Sequence, residues 1–182
     1  MNAVRVDLMA SAAGKIGGVS WHHLFLLAMD ASGKLQYLRA GPQCLPIEWL
    51  ARRRTQYGDA AEDFERSAAG PYGVISFATG PYEPGGVDFD PVAANVTLAS
   101  GPAAARLWDS AQGAAKALGE EGIAYDPGGR GANWALMEAL RRCGLQPEVP
   151  PKRWAPGAAA PAPEPEVPGV VARRLGQAVV LP

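Results

Sequence analysis

The 182 residues carry 17 Lys and Arg against 18 Asp and Glu, a formal net charge of −1, which gives no electrostatic reason to expect nucleic acid or an anionic membrane as partner. At 48% hydrophobic and 19% charged the chain can bury a core and is not globally disordered. No apolar run approaches the ~18 residues that span a bilayer, so no transmembrane segment is expected.

In chain order, Val4, Val6 and Leu8 alternate with polar or small residues as in a short half-buried strand. Ser11 to Gly18 is small and Gly-rich and reads as a turn or loop. Residues 20–29 are almost continuously apolar, the pattern of a strand covered on both faces. Asp30 to Lys34 is a hairpin loop, and Leu35 to Arg39 returns as its partner strand. A short helix is expected over Ile47 to Arg54, with Trp49 and Leu50 inward, and an exposed connection over Thr55 to Gly70.

Tyr72 to Thr79 reads as a strand stopped by Gly80-Pro81, Tyr82 to Pro91 as a loop, and Asn95 to Leu98 as a short strand. Ser100 is the expected N-cap of a helix with Pro102 in its first turn. Leu107, Ala111, Ala115 and Leu118 share one face of that helix, extended by Trp108. After an extended Ile123 to Tyr125 and a turn at Asp126 to Gly129, a second helix runs from Ala132 to Cys143. It ends at Gly144, where a C-terminal glycine cap belongs. Prolines from Pro147 to Pro168 exclude helix and central strand, leaving a strap or linker. The fold class is therefore α+β: a small antiparallel sheet against two main helices, with a Pro-rich C-terminal strap. The division is a domain over 1–145 and a tail over 146–182 whose apolar end, Val170 to Leu181, suits docking as a strand or binding a partner.

The candidate chemistry is sparse. The two histidines, His22 and His23, point to opposite faces of one strand, and a strand histidine is commonly a hydrogen-bonded core residue. Cys44 follows the hairpin, within reach of His23 in principle, but no cationic run or helix start beside it explains a lowered pKa. Cys143 ends a helix, where the dipole opposes a thiolate. The two thiols form no disulfide framework or zinc spacing. Asp88 and Asp90 are too few for a calcium loop. Gly128 to Gly131 lacks the Lys-Ser/Thr of a phosphate loop, although the helix start after it presents free amides. No cofactor and no metal is indicated.

His23 to Asp30, then Gly33 and Tyr37 to Pro42, resembles the first hairpin of circularly permuted papain-like proteins of the NlpC/P60-type superfamily. Tyr125 to Gly128, then Gly131 to Leu136, resembles the helix that bears the nucleophile, with Gly144-Leu145-Gln146-Pro147 and Trp154 to Gly157 matching later segments. The resemblance covers roughly 20–45 and 120–157. It implies that His23 takes the place of the family histidine and that Ala132 falls where a nucleophile would be, leaving Asn133 as a polar anchor or helix cap.

It thus implies a catalytically degenerate papain-like domain with a binding or assembly role in a bacterial phage-like or secretion apparatus, and a peptide or cell-wall ligand. A protein partner is expected through residues 158–182. The alternatives are an active cysteine hydrolase or amidase using His23 with Cys44 or a group near Asn133, and an unrelated α+β interaction protein. The N-terminal residues carry no charged and apolar leader pattern. A cytoplasmic location is the expectation, with signal-less export or incorporation in a particle as the alternative.

Overall fold

The computed structural model describes residues 1–16, 19–43, 72–85, 89–126, 129–151, 153, 155, 157 and 158. Five strands, β1 (Ala3–Ile16), β2 (Val19–Asp30), β3 (Leu35–Pro42), β4 (Ile75–Pro81) and β5 (Ala94–Ser100), form one sheet in the order β4-β3-β2-β1-β5. Every described pairing is antiparallel. Two helices follow, α1 (Pro102–Glu120) and α2 (Ala132–Arg142). The α+β class read from the sequence is the class observed. The expected helix over Ile47 to Arg54, the connection to Gly70 and the chain beyond Ala158 lie outside the described residues.

Side-chain alternation sorts the sheet into two faces. Val6, Leu8 and Ala10 of β1, Leu24, Leu26 and Ala28 of β2 and Leu38 of β3 pack under the helices with Trp108, Leu136, Met137 and Leu140. Small residues of α1 (Ala104, Ala111 and Ala115) let that helix approach the sheet, and Trp108 fills the space between them. The opposite face carries Met9, Phe25 and Leu27. It is covered because β4 and β5 lie at opposite edges, so the chain joining them must cross the sheet. Tyr82 in that crossing stacks 5.5 Å from Phe25 and 5.2 Å from Phe89. Its hydroxyl donates to Asp90 O and accepts from Asp90 N. The continuous apolar run of β2 is thus buried on both sides.

Gly80-Pro81 does not stop β4, which starts at Ile75 and stays paired with β3 through Gly80 and Pro81 at the sheet edge, and two further local expectations are corrected. Ser11 to Ile16 is not a turn: β1 continues through it, paired with β2 as far as Ile16↔Val19, with a register shift between Ala12 and Gly14. Main-chain pairing needs no large side chain, so small residues concealed a strand. Ser100 belongs to β5 and Gly101 is the N-cap of α1, with no side-chain cap bond. At the end of α2 the expected glycine cap is present: Gly144 has φ 80° and Leu145 N donates to Leu140 O. Beyond it Leu145, Val149, Ala155 and Ala158 pack on the main core.

Leu26 is fully buried between the two layers. Leu26→Ala should lower stability by about 2–5 kcal/mol, read as a lower urea midpoint. Val92→Ala, at a residue 82% exposed, should change it by less than about 0.5 kcal/mol.

Candidate functional site

The predicted site lies where α2 begins beside β2 and β3. The β2–β3 ladder runs from Met29↔Leu35 to Phe25↔Arg39. One residue further on, the polar edge of β2 is taken up by a side chain. Leu24 N donates to Asn133 Oδ1 at 2.8 Å, and Asn133 Nδ2 donates to His22 O at 3.0 Å. A carboxamide has the donor and acceptor of a peptide group, so Asn133 continues the ladder of β2 where its pairing with β3 ends, while β3 itself runs on beside β4 to Pro42. The amide is 4% exposed, and its two bonds straddle His23.

His22 and His23 are each 9% exposed. His23 Nε2 faces Ala40 O at 3.3 Å. Against a carbonyl, Nε2 must carry the proton, so in this bonded tautomer it is a donor and not the basic nitrogen. Ser11 pairs across from His23 on β1. Its hydroxyl donates to His23 O at 3.5 Å, and it is only 3% exposed, closed to a substrate. Cys44 lies outside the described residues, and the described chain before it ends at Gln43.

The start of α2 has Gly131 as N-cap and no side-chain cap bond. The Tyr125 phenol stands beside the Ala132 amide. Burial pushes the Tyr125 phenol above its ordinary range, opposed by that amide and by Arg39. The Tyr125 segment is held by Tyr125 N donating to Gly73 O and Ile75 N donating to Ile123 O. Its ring lies 5.8 Å from Tyr72. Beneath it Ala40, Ile75, Leu118, Trp134 and Ala135 form a separate apolar cluster.

The structure therefore brings His23, Ala132 and Asn133 to one end of the sheet. Ala132 presents a methyl group where covalent hydrolysis would need a thiol or hydroxyl. Cys143 is at the far end of α2, its thiol donating to Ala139 O and pushed up in pKa by burial. Asp90 accepts from Val92 N and Ala12 N and so anchors the crossing chain to β1. Among the described residues no group of three or more His, Cys, Asp or Glu side chains is gathered as a metal site. No described helix is long and apolar enough to cross a membrane.

Sequence reasoning missed Tyr125 and Arg39. The signal for Tyr125 was indirect: a glycine N-cap leaves the first amides of a helix in need of another acceptor. A separate open groove of ≈ 520 Å³ runs between β4 and the second half of α1, with Ile75, Phe77, Ala115 and Lys116 in its walls. None of the residues around it is His23, Asn133 or Tyr125. Neither protein-family models, nor curated proteins, nor solved structures show a significant match to this chain.

Asn133→Ala leaves two buried main-chain groups without their partner, at about 1–3 kcal/mol each. The variant should lose about 2–6 kcal/mol in urea denaturation, with the Leu24 amide losing most of its exchange protection. For Tyr125 the folded pKa is raised, so its contribution is full below the unfolded phenol value of about 10 and fades as pH rises through the folded value. Between about pH 9 and about pH 11, urea midpoints should fall more steeply for the wild type than for Tyr125→Phe.

Proposed function

We propose that this is a catalytically degenerate papain-like domain that binds or assembles instead of cleaving, as part of a bacterial phage-like or secretion apparatus. The observation that carries this reading is the start of α2. The position that the resemblance gives to a nucleophile is Ala132, and the polar groups around it serve the fold. Asn133 is bonded to the main chain of His22 and Leu24, the Ala132 amide faces the Tyr125 phenol, and His23 Nε2 faces a main-chain carbonyl. Removing the nucleophile of a covalent hydrolase typically abolishes rate enhancement by several orders of magnitude. The ligand is a peptide or cell-wall fragment, and residues 158–182 engage a protein partner. Residence in an exported particle is compatible with this role.

The full chain should bind a muropeptide in calorimetry without releasing new amine ends from it, and His23→Ala and Cys44→Ala should bind it equally well. Hydrolysis that falls in both variants would overturn the reading in favour of an active cysteine hydrolase or amidase. If the muropeptide is neither bound nor cleaved, the unrelated α+β interaction protein takes precedence.

A further inference from the structure

The two edges of the sheet differ. At the β5 edge Leu98 is an extra residue, set between the pairs Val6↔Ala99 and Asp7↔Thr97. A bulge of this kind bends an edge away from further pairing, and the Arg5–Asp7 ion pair lies on the strand beside it. β4, at the other edge, runs Ile75-Ser76-Phe77-Ala78-Thr79-Gly80-Pro81 without a charged residue. An uncharged edge with no bulge is a template for pairing with another chain.

Main-chain directions define the open part of that edge. Gln43 N donates to Val74 O, and residues along an antiparallel strand alternate in the side to which they bond. Val74, Ser76, Ala78 and Gly80 therefore turn their main chain to β3, while Ile75, Phe77 and Thr79 turn theirs outward. Ile75 N donates to Ile123 O in the short pairing at Val74↔Ala124. Pro81 has no N–H to offer. Among the described residues none pairs with the outward groups of Phe77 and Thr79. The open stretch is Phe77-Ala78-Thr79, with Ala78 exposed at its centre.

We propose that this stretch pairs with a second copy of the chain, antiparallel about a two-fold axis at Ala78. Phe77 then stands opposite Thr79 of the second copy, and every outward N–H and C=O of these two residues is met in both copies. The two Ala78 residues form a non-hydrogen-bonded pair, where side chains approach most closely, and a methyl group fits there. The axis is perpendicular to the sheet, so the helices of both copies lie on one face. The second half of α1 walls the groove beside β4, and the axis sets it towards the same half-helix of the second copy. Lys116 and Glu120 on that wall are 79% and 68% exposed. The two-fold turns each lysine towards the other copy's carboxylate, so the charges match themselves. A free extended peptide gains only the main-chain bonds of a short stretch, whereas a second copy adds this helix contact. The pairing goes beyond the proposed function and does not depend on it.

Sedimentation velocity on the full chain, from about 1 μM to about 1 mM, should show monomer passing to dimer. Amide exchange at Phe77 and Thr79 should slow in step, with Leu26 unchanged. Ala78→Glu and Ala78→Lys each set like charges across the axis, at a position exposed in the single chain. Each should weaken association by about tenfold or more, and an equal mixture of the two should restore it. A chain that stays monomeric throughout overturns the proposal and leaves the edge to an extended peptide. Equal protection of Phe77 and Thr79 at every concentration also overturns it, because the chain then covers its own edge. A dimer unchanged by both substitutions uses another surface and overturns it too, as does a mixture that fails to associate.

Discussion

The carboxamide of Asn133 is the constraint on which this end of the molecule depends. β2 is the central strand, bordered by β1 and β3, and its last groups on the β3 side are met by a helix side chain. Without that partner the main chain at His22 and Leu24 would be buried and unsatisfied, a penalty comparable to a large fraction of a domain's net stability. With it, the first turn of α2 is fixed against the sheet to within the length of one short side chain. The packing of Trp134 and Ala135 on Ala40 and Ile75 follows from that placement.

The same placement bears on chemistry. A helix start beside a histidine strand offers amides, a dipole and a potential base in one place. Here each of the groups at hand has a structural partner, and burial keeps both histidines largely from solvent. Under the proposed reading, the residues that would organise a reaction have become the residues that hold the sheet end closed. Arg39 and Tyr125 add positive charge and a phenol to that end without adding a nucleophile of the thiol or hydroxymethyl kind.

Legibility followed the range of the interactions. The β2–β3 hairpin and the apolar stripe of α2 were readable because local periodicity is imposed by one covering layer. Ser11 to Ile16 was misread because its strand character resides in main-chain pairing and not in side-chain size. Ser100 was misread because a good capping residue is equally content at a strand end when Gly101 turns the chain. Asn133 was recognisable as a polar residue at a helix start, but its partners lie 109 and 111 positions away, and nothing local encodes them. The main-chain bond that holds Tyr125, to Gly73 O, is likewise encoded by nothing local.

The crossing between β4 and β5 has a kinetic consequence. Among the described strands β5 is the last made, yet it pairs with the first, Thr97 against Asp7 and Val96 against Leu8. Until it arrives, the outer edge of β1 presents unpaired main-chain groups, the kind of template that pairs with other chains. Closing so long a loop places the sheet among slow, high-contact-order folds. Asp7 meets the late strand with a 2.7 Å bond from the Thr97 hydroxyl and carries its own Arg5 partner. A charged pair on that edge keeps it hydrated, and so less adhesive, while the chain is still incomplete.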